Sequence, residues 1–252
     1  MNQVPILEVL DLTKDFGGVR AVDRVSFRLA QGESLGIIGP NGSGKTTLVN
    51  LITGFVKPDS GEVRFKGRRI TGVAPYAIAR MGIARTFQMA RPFYGLAAYR
   101  NLVVPLYSPR VRSMEGGRFG DRDAMALDLL EEVGFERDSA VPFKPASVLP
   151  HGYLKRLELA RCLAIRPDLI ILDELFSGLS LAEVASTVPI IEKLQAQGGS
   201  LILIEHRLRE LFRIVDRVIV LNFGRKIAEG SPRMVMESEE VKRAYLGTEA
   251  DG

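Results

Sequence analysis

The sequence predicts an α/β fold with a mainly parallel sheet, an N-terminal antiparallel β-subdomain and an inserted helical lobe. Short apolar runs of strand length alternate with helical patterns near both ends of the chain, which is typical of a parallel sheet covered by helices. The segment Ala21–Leu29 instead alternates apolar and polar residues, as a half-exposed antiparallel strand does. We expect one domain over 1–252, with the core and β-subdomain in 1–90 and 167–252 and the helical lobe in 91–166.

The expected elements follow from local patterns. The expected strands are short apolar or alternating runs: Leu7–Leu10, Ala21–Leu29, Ser34–Ile38, Glu62–Phe65, Ala84–Phe87, Leu169–Asp173, Leu201–Ile204, Arg217–Asn222 and Arg225–Glu229. The expected helices are Lys45–Thr53, Tyr99–Leu106, Arg122–Val133, Gly152–Ala164, Leu181–Gln197, Leu208–Ile214 and Ser238–Tyr245. The polar, Gly-rich stretch Ser108–Gly120 is expected to be a loop.

The composition is that of a soluble globular protein, with 46% hydrophobic and 25% charged residues. No stretch reaches the roughly 18–20 apolar residues of a membrane-spanning helix. Cys162 is the single cysteine, so no internal disulfide can form, which fits a reducing compartment. The net charge of +4 is spread along the chain and there is no Trp, so we expect no nucleic-acid partner.

The strongest local signal is a glycine-rich loop between an apolar strand and a helix. It comprises Gly39, Pro40, Asn41, Gly42, Ser43, Gly44, Lys45, Thr46 and Thr47, and it fits the pattern G-x-x-x-x-G-K-[ST]. The glycines let backbone N–H groups surround phosphate oxygens, and the following helix adds the positive end of its dipole. Lys45 supplies a charge for the outer phosphates, and the Thr46 hydroxyl is a hard oxygen ligand for Mg²⁺. The loop therefore predicts a site for ATP with Mg²⁺.

Two adjacent acids follow the apolar run Leu169–Leu172. Acids at the carboxyl end of a buried strand face the ligand crevice of an open α/β sheet, and they are costly there unless a cation is present. Asp173 is predicted to hold the Mg²⁺ shell, and Glu174 to orient or deprotonate the attacking water. With the phosphate loop, these residues predict a nucleoside triphosphatase of the P-loop class.

Further residues around these motifs resemble the ABC-type ATPases. Phe16 resembles the aromatic residue on which adenine stacks in that family, and Gln88 the glutamine at the junction with the helical lobe, which the resemblance places at the nucleotide and its metal ion. His206 follows a strand, as the family's switch histidine does. The resemblance extends from about residue 7 to residue 247 and implies the ABC ATPase fold. The catalytic residues that it implies are Lys45, Glu174 and His206.

The signature of the family is altered in this chain. The place of the family's L-S-G-G-Q is taken by Leu149, Pro150, His151, Gly152 and Tyr153. Pro150 replaces the serine, so a hydroxyl and an N–H that would bind the γ-phosphate are missing, and His151 and Tyr153 replace the first glycine and the glutamine. The D-loop, Ser177–Ser180, ends in serine rather than in an acid or amide.

These departures lie on one side of the expected assembly. In the family, two subunits enclose two nucleotides, and the signature and D-loop of each serve the phosphate loop of the other. The residues that would contact this chain's own ATP keep the family's types, whereas those that would contact the partner's ATP do not. The resemblance therefore implies an asymmetric pair with a second, different ATPase subunit, in which this chain's phosphate loop carries the hydrolysing site and the other site turns over slowly.

Within the family the chain resembles the ATPases of branched-chain amino-acid importers, specifically the one with the longer helical-lobe insertion. The shared segments are A-R-T-F-Q-M-A-R-P-F, N-L-V-V-P, L-E-L-A-R-C-L, I-E-H-R-L and R-A-Y-L-G. The resemblance implies two integral-membrane permease subunits, a periplasmic or surface substrate-binding protein, and a peripheral location on the cytoplasmic face of the membrane. Similar ATPases serve urea, amide and aromatic-acid uptake, so the cargo stays open. An ATP-gated clamp or assembly factor and a P-loop kinase are the alternative functions.

Overall fold

The computed structural model describes residues 5–87, 91–114 and 120–246. The chain forms two compact units, one made of Met1–Ile78 with Gly198–Gly252 and the other of Ala79–Gln197. These units divide the chain at other positions than the expected lobe at 91–166, and that expected division stays a prediction.

The described elements comprise ten strands and ten α-helices. The strands are β1 (Leu7–Phe16), β2 (Val19–Leu29), β3 (Ser34–Ile38), β4 (Ser60–Phe65), β5 (Arg68–Arg69), β6 (Ile83–Arg85), β7 (Leu169–Asp173), β8 (Ser200–Ile204), β9 (Arg217–Asn222) and β10 (Arg225–Gly230). The helices are α1 (Lys45–Ile52), α2 (Pro75–Met81), α3 (Arg100–Leu106), α4 (Pro109–Met114), α5 (Arg122–Glu132), α6 (His151–Ala164), α7 (Leu181–Ala196), α8 (Leu208–Ile214), α9 (Pro232–Glu237) and α10 (Glu239–Leu246). Single turns of 3-10 helix lie at Val141–Phe143 and Ala146–Val148.

An antiparallel sheet in the first unit has the order β2-β1-β4-β5. Gly17 and Gly18 both have positive φ and close a two-residue hairpin between β1 and β2, in which Phe16 pairs with Val19. This turn lets both strands extend beyond the expected bounds. The expected antiparallel β-subdomain is thereby confirmed.

The first unit also contains the parallel strands that carry the phosphate loop. β3 runs parallel to β8 on one side and to β9 on the other, and β10 pairs with β9 in antiparallel fashion. All residues of β3 and β8 are buried, which explains their continuous apolar character. In the second unit, β6 pairs in parallel with β7, whose five residues are also buried.

The helical part of the second unit is built on α3, α5 and α6, which pack against one another. Their contact faces are fully buried apolar side chains, for example Leu102, Leu130 and Leu157. Cys162 lies on α6, and burial raises the pKa of its thiol to about 12. It therefore acts as a small apolar residue and not as a thiolate. Among the described helices, none has the length and apolar character needed to cross a bilayer.

Three short helices were not expected from the sequence pattern. α4 lies inside the stretch predicted as a loop, so that prediction is wrong for residues 109–114, where the fully buried Val111 holds the helix against the unit. Residues 115–119 of the predicted loop lie outside the described residues. α2 and α9, like α4, begin at a proline, whose fixed φ suits the first helical position. β6 ends at Arg85, two residues before the expected end of that strand.

Candidate nucleotide-binding site

Two glycines of the phosphate loop have conformations that no other residue fits. Gly39 has a φ of 151°, and a Cβ there would lie 2.1 Å from the carbonyl oxygen of Leu221. Gly44 has a φ of 100°, and a Cβ there would lie 2.3 Å from the carbonyl oxygen of Ala21. Ser43 accepts a bond from the Gly224 N–H through its carbonyl oxygen, which ties the loop to the β9–β10 turn. The loop is therefore held by neighbouring backbone on two sides.

Helix α1 begins at Lys45, and no side chain caps its N-terminus. The ammonium group of Lys45 donates to the carbonyl oxygens of Gly39, at 2.7 Å, and Pro40, at 3.0 Å, so the side chain folds over the loop and is only 6% exposed. Phosphate oxygens could replace these carbonyls as acceptors. Asn41, Gly42 and Thr46 are exposed and Thr47 is half-buried.

Phe16, which is predicted to stack on adenine, and His206, the predicted switch histidine, also lie in the first unit. Phe16 stands at the end of β1 beside the hairpin and is 47% exposed, with the Lys14 ammonium 5.3 Å from its ring centroid. A large exposed aromatic ring next to a tight turn is available for stacking. His206 is exposed just after the buried strand β8, and its carbonyl oxygen accepts the N–H of Leu208 at 3.1 Å.

Asp173 and Glu174 lie at the carboxyl end of β7 in the second unit. The Asp173 carboxylate is buried and accepts a 2.6 Å bond from the Arg85 guanidinium. The backbone N–H of Asp173 donates to the Thr86 hydroxyl at 3.0 Å. Glu174 is half-buried and has a φ of 50°, the left-handed region that is strained for a side chain. The Lys155 ammonium donates to the Glu174 carbonyl oxygen at 3.3 Å. Strain of this kind is common at functional sites.

The altered signature contacts the D-loop of its own chain. His151 Nε2 lies 3.4 Å from the carbonyl oxygen of Ser177. Gly152 donates its backbone N–H to the Glu183 carboxylate, and a Cβ on Gly152 would lie 2.4 Å from Glu183 Oε1. Hydrogen bonds from the backbone and side chain of Ser180 are the main causes that hold the pKa of Glu183 below its usual value. The first turn of α6 therefore has an anionic partner within the chain.

The remaining signature positions have structural roles within the chain. Tyr153 packs edge-on against Phe135, with ring centroids 4.9 Å apart, and the Arg156 guanidinium lies 5.7 Å from the Tyr153 ring. Leu149 is buried, and Pro150 is the N-cap of α6 without a side-chain capping bond. A tyrosine at this position thus fills space that the shorter glutamine side chain would leave open.

Three side chains that bond at or near the predicted site residues were not identified from the sequence. Arg85 donates to the Asp173 carboxylate, and Lys155 donates to the Glu174 carbonyl oxygen. The Glu158 carboxylate accepts the Phe87 N–H at 2.6 Å. The only sequence signal for Arg85 is its place in A-R-T-F-Q. Gln88 lies outside the described residues, so its predicted role stays a prediction.

Comparison with known proteins agrees with this geometry. The family model described as ABC transporter matches residues 22–177. The chain belongs to the ABC transporter family. A second model, described as branched-chain amino acid ATP-binding cassette transporter, matches residues 225–251.

Curated relatives cover almost the whole chain. The high-affinity branched-chain amino acid transport ATP-binding protein BraF of Pseudomonas aeruginosa is 37% identical, over 96% of this chain and 98% of its own length. The corresponding protein LivG of Escherichia coli K12 is 35% identical with the same coverage. These relatives do not favour a clamp or a kinase.

Solved structures give the same fold. An ATP-binding cassette of an ABC transporter in its ADP conformation has a TM-score of 0.84 and 31% identity, and it covers 97% of this chain and 100% of its own. A nucleotide-free cassette has the same score and identity, with coverage of 96% and 99%. The expected ABC ATPase fold is confirmed, and the chain is an ATP-binding ABC ATPase.

Proposed function

We propose that this chain is the ATP-hydrolysing subunit of an importer for branched-chain amino acids or related small polar or amide compounds. The observation that carries the proposal is the match of residues 225–251 to the branched-chain model, on a chain whose phosphate loop has the backbone constraints described above. The near full-length similarity to BraF and LivG supports it. Because the contacts to cargo would lie on other subunits, the choice among these compounds is made elsewhere.

ATP hydrolysis would give roles to the phosphate loop and to the residues predicted to hold Mg²⁺ and water. Backbone N–H groups of the phosphate loop and the Lys45 ammonium would bind phosphate oxygens, and Glu174 would orient the attacking water with His206 as the switch residue. The Thr46 hydroxyl and the Asp173 carboxylate are hard oxygen donors of the kind that Mg²⁺ takes when phosphates and waters complete its shell. Bound Mg²⁺ would neutralise charge on the phosphates during transfer.

The second unit offers a surface on which membrane subunits could dock. A cavity of about 320 Å³ is lined by Gly95, Leu96, Ala97, Tyr99, Arg100 and Phe143. Two of the lining residues, Leu96 and Phe143, expose large apolar side chains, and the same stretch of chain also exposes Phe93, Tyr94, Val104 and Tyr107. Exposed patches of this kind mark interaction sites. We assign this surface to the docking of the membrane part of the transporter, which would consist of two permease subunits. Docking would place the chain peripherally on the cytoplasmic face of the membrane. A separate binding protein would deliver substrate to the permease subunits.

A second, different ATPase subunit would complete the pair. The altered signature supports this, because a homodimer would degrade both composite sites. The Gly152 N–H already donates to the Glu183 carboxylate. Pro150 has neither a hydroxyl nor an N–H to donate to a γ-phosphate. The site served by this signature would therefore turn over slowly, while the site on this chain's own phosphate loop hydrolyses ATP.

Transport is tested by reconstituting the chain with its co-purifying ATPase and permease subunits in proteoliposomes. ATP-dependent uptake of labelled leucine, stimulated by the binding protein and lost without this chain, is expected. Co-purification with RNA instead of membrane subunits would contradict the proposal.

The asymmetry is tested by restoring the signature with Pro150→Ser, His151→Gly and Tyr153→Gln together. Each restored γ-phosphate donor can contribute about a hundredfold at its own site, so turnover of the complex should rise clearly. Because Tyr153 also packs on Phe135, the double variant that keeps Tyr153 serves as the folding control. An unchanged rate in both variants would refute the slow-site assignment.

A further inference from the structure

The Asp173 carboxylate already has a buried cation beside it. Arg85 Nη2 lies 2.6 Å from Asp173 Oδ2, and the two side chains are 7% and 5% exposed. Parallel pairing of β6 with β7 brings them together, since Arg85 pairs in register with Ile171. A carboxylate removed from water is costly unless a cation compensates it, and Arg85 provides that compensation.

Both partners of this ion pair are fixed by other contacts. The Asp173 N–H donates to the Thr86 hydroxyl, and the Thr86 N–H donates to the Ile171 carbonyl oxygen at 2.9 Å. The Arg85 guanidinium lies 5.2 Å from the centroid of the Phe87 ring. The backbone bonds hold the end of β7 against the end of β6, and rotating the Arg85 side chain away would lose its contact with the Phe87 ring. The guanidinium therefore stays close to any cation that approaches Asp173.

We propose that Arg85 is a positioning residue that weakens and tunes Mg²⁺ binding at Asp173, because it occupies Oδ2 and places a like charge beside the incoming ion. This inference rests on the proposed Mg²⁺ role of Asp173. Arg85 compensates the Asp173 carboxylate, and Mg²⁺ bound with nucleotide would have to share that carboxylate with the guanidinium. Removing the guanidinium therefore destabilises the metal-free protein and tightens Mg²⁺ binding.

The chain contains a matched control at the other end of the same strand. Arg110 Nη2 lies 2.8 Å from Asp168 Oδ2, immediately before β7, with side chains 11% and 25% exposed. This pair has the same chemistry as Arg85–Asp173 but no predicted metal ligand. Arg110→Gln should lower stability without changing the Mg²⁺ requirement.

The test is thermal unfolding of the full chain with a saturating non-hydrolysable ATP analogue, titrated with MgCl₂. The half-saturating Mg²⁺ concentration should fall about fivefold or more in Arg85→Gln, a change of the size typical of coupled sites. Arg85→Lys retains the charge and should stay within about twofold of wild type. If Arg85→Gln does not fold, Arg85→Met keeps the volume of the side chain and serves in its place.

The outcomes separate the inference from the proposal on which it rests. Loss of Mg²⁺-dependent stabilisation in Asp173→Asn, with tighter Mg²⁺ binding in Arg85→Gln, supports both. An unchanged or raised half-saturating concentration in Arg85→Gln, with Asp173→Asn impaired, overturns the role of Arg85 alone. If Asp173→Asn leaves Mg²⁺ dependence unchanged, Asp173 is not a Mg²⁺ ligand and both fail.

Discussion

Replacing Asn101 tests whether the proposed docking surface is held by one buried amide. Asn101 is fully buried at the start of α3, and its Oδ1 accepts the Phe93 N–H at 2.7 Å. Its Nδ2 group donates to the carbonyl oxygens of Phe93, Leu96 and Ala97 at 3.3, 3.4 and 3.0 Å. The single side chain thus ties the turn at 93–97 to α3.

The size of the effect follows from these bonds. Each net hydrogen bond contributes about 0.5–1.5 kcal/mol. Asn101→Ala removes the bond accepted by Oδ1 and the two N–H donors that the three carbonyl oxygens share, and it leaves those backbone groups without their partner. We expect a loss of about 3 kcal/mol in the free energy of unfolding, or roughly 6–12 °C in Tm for a chain of this size. The midpoint of urea unfolding measures it directly.

A functional readout distinguishes local disorder from general destabilisation. Leu102→Ala empties a fully buried site on the same helix and should cost a comparable 2–5 kcal/mol, on the order known for such cavities, without releasing the turn. In the assembled transporter, Asn101→Ala should lose substrate-stimulated ATPase activity, whereas Leu102→Ala should keep it. A stability loss below about 1 kcal/mol in Asn101→Ala, or equal uncoupling in both variants, would show that the Asn101 amide does not hold this surface.

Two further predictions follow from single contacts. The Gly39 N–H donates to the Tyr245 hydroxyl oxygen, while burial raises the pKa of Tyr245. Because this bond holds the phosphate loop, Tyr245→Phe should weaken ATP binding about two- to tenfold in a fluorescent-nucleotide titration. Tyr76→Phe, which changes an exposed ring, is the control. Burial raises the pKa of Glu158 above its unfolded value of 4.5, so its contribution to stability is present below that value and is lost as pH rises through the folded pKa. The urea midpoint of Glu158→Gln should therefore rise relative to that of the wild type as the pH goes from about 5 to about 8. Parallel pH profiles of the two midpoints would contradict this.

The phosphate loop and the strand β7 could be predicted because their chemistry is contiguous in sequence. The loop needs glycines, a lysine and a threonine at fixed spacing, and the structure confirms why Gly39 and Gly44 allow no Cβ. β7 consists of four apolar residues followed by Asp173, and all five are buried. Each of these features could therefore be read from a local pattern.

The contacts around Asp173 and the signature could not be predicted, because they join residues far apart in the chain. Arg85 lies 88 residues before Asp173, and only the register between β6 and β7 brings them together. The local pattern identifies Glu183 only as the partner of the N-cap Ser180 in the capping box of α7, and its bond to Gly152 depends on tertiary packing. The short helices α2, α4 and α9 had a usable signal, a proline at the first position, that hydrophobic spacing alone did not detect.

The central claim is that this chain's own phosphate loop carries the hydrolysing site of an asymmetric transporter ATPase. The most direct measurement is the ATPase activity of the purified chain, alone and with its co-purifying ATPase partner, for wild type and Glu174→Gln. We predict activity that requires the partner and disappears in Glu174→Gln. Activity that survives Glu174→Gln would place catalysis on the partner's phosphate loop and contradict the account.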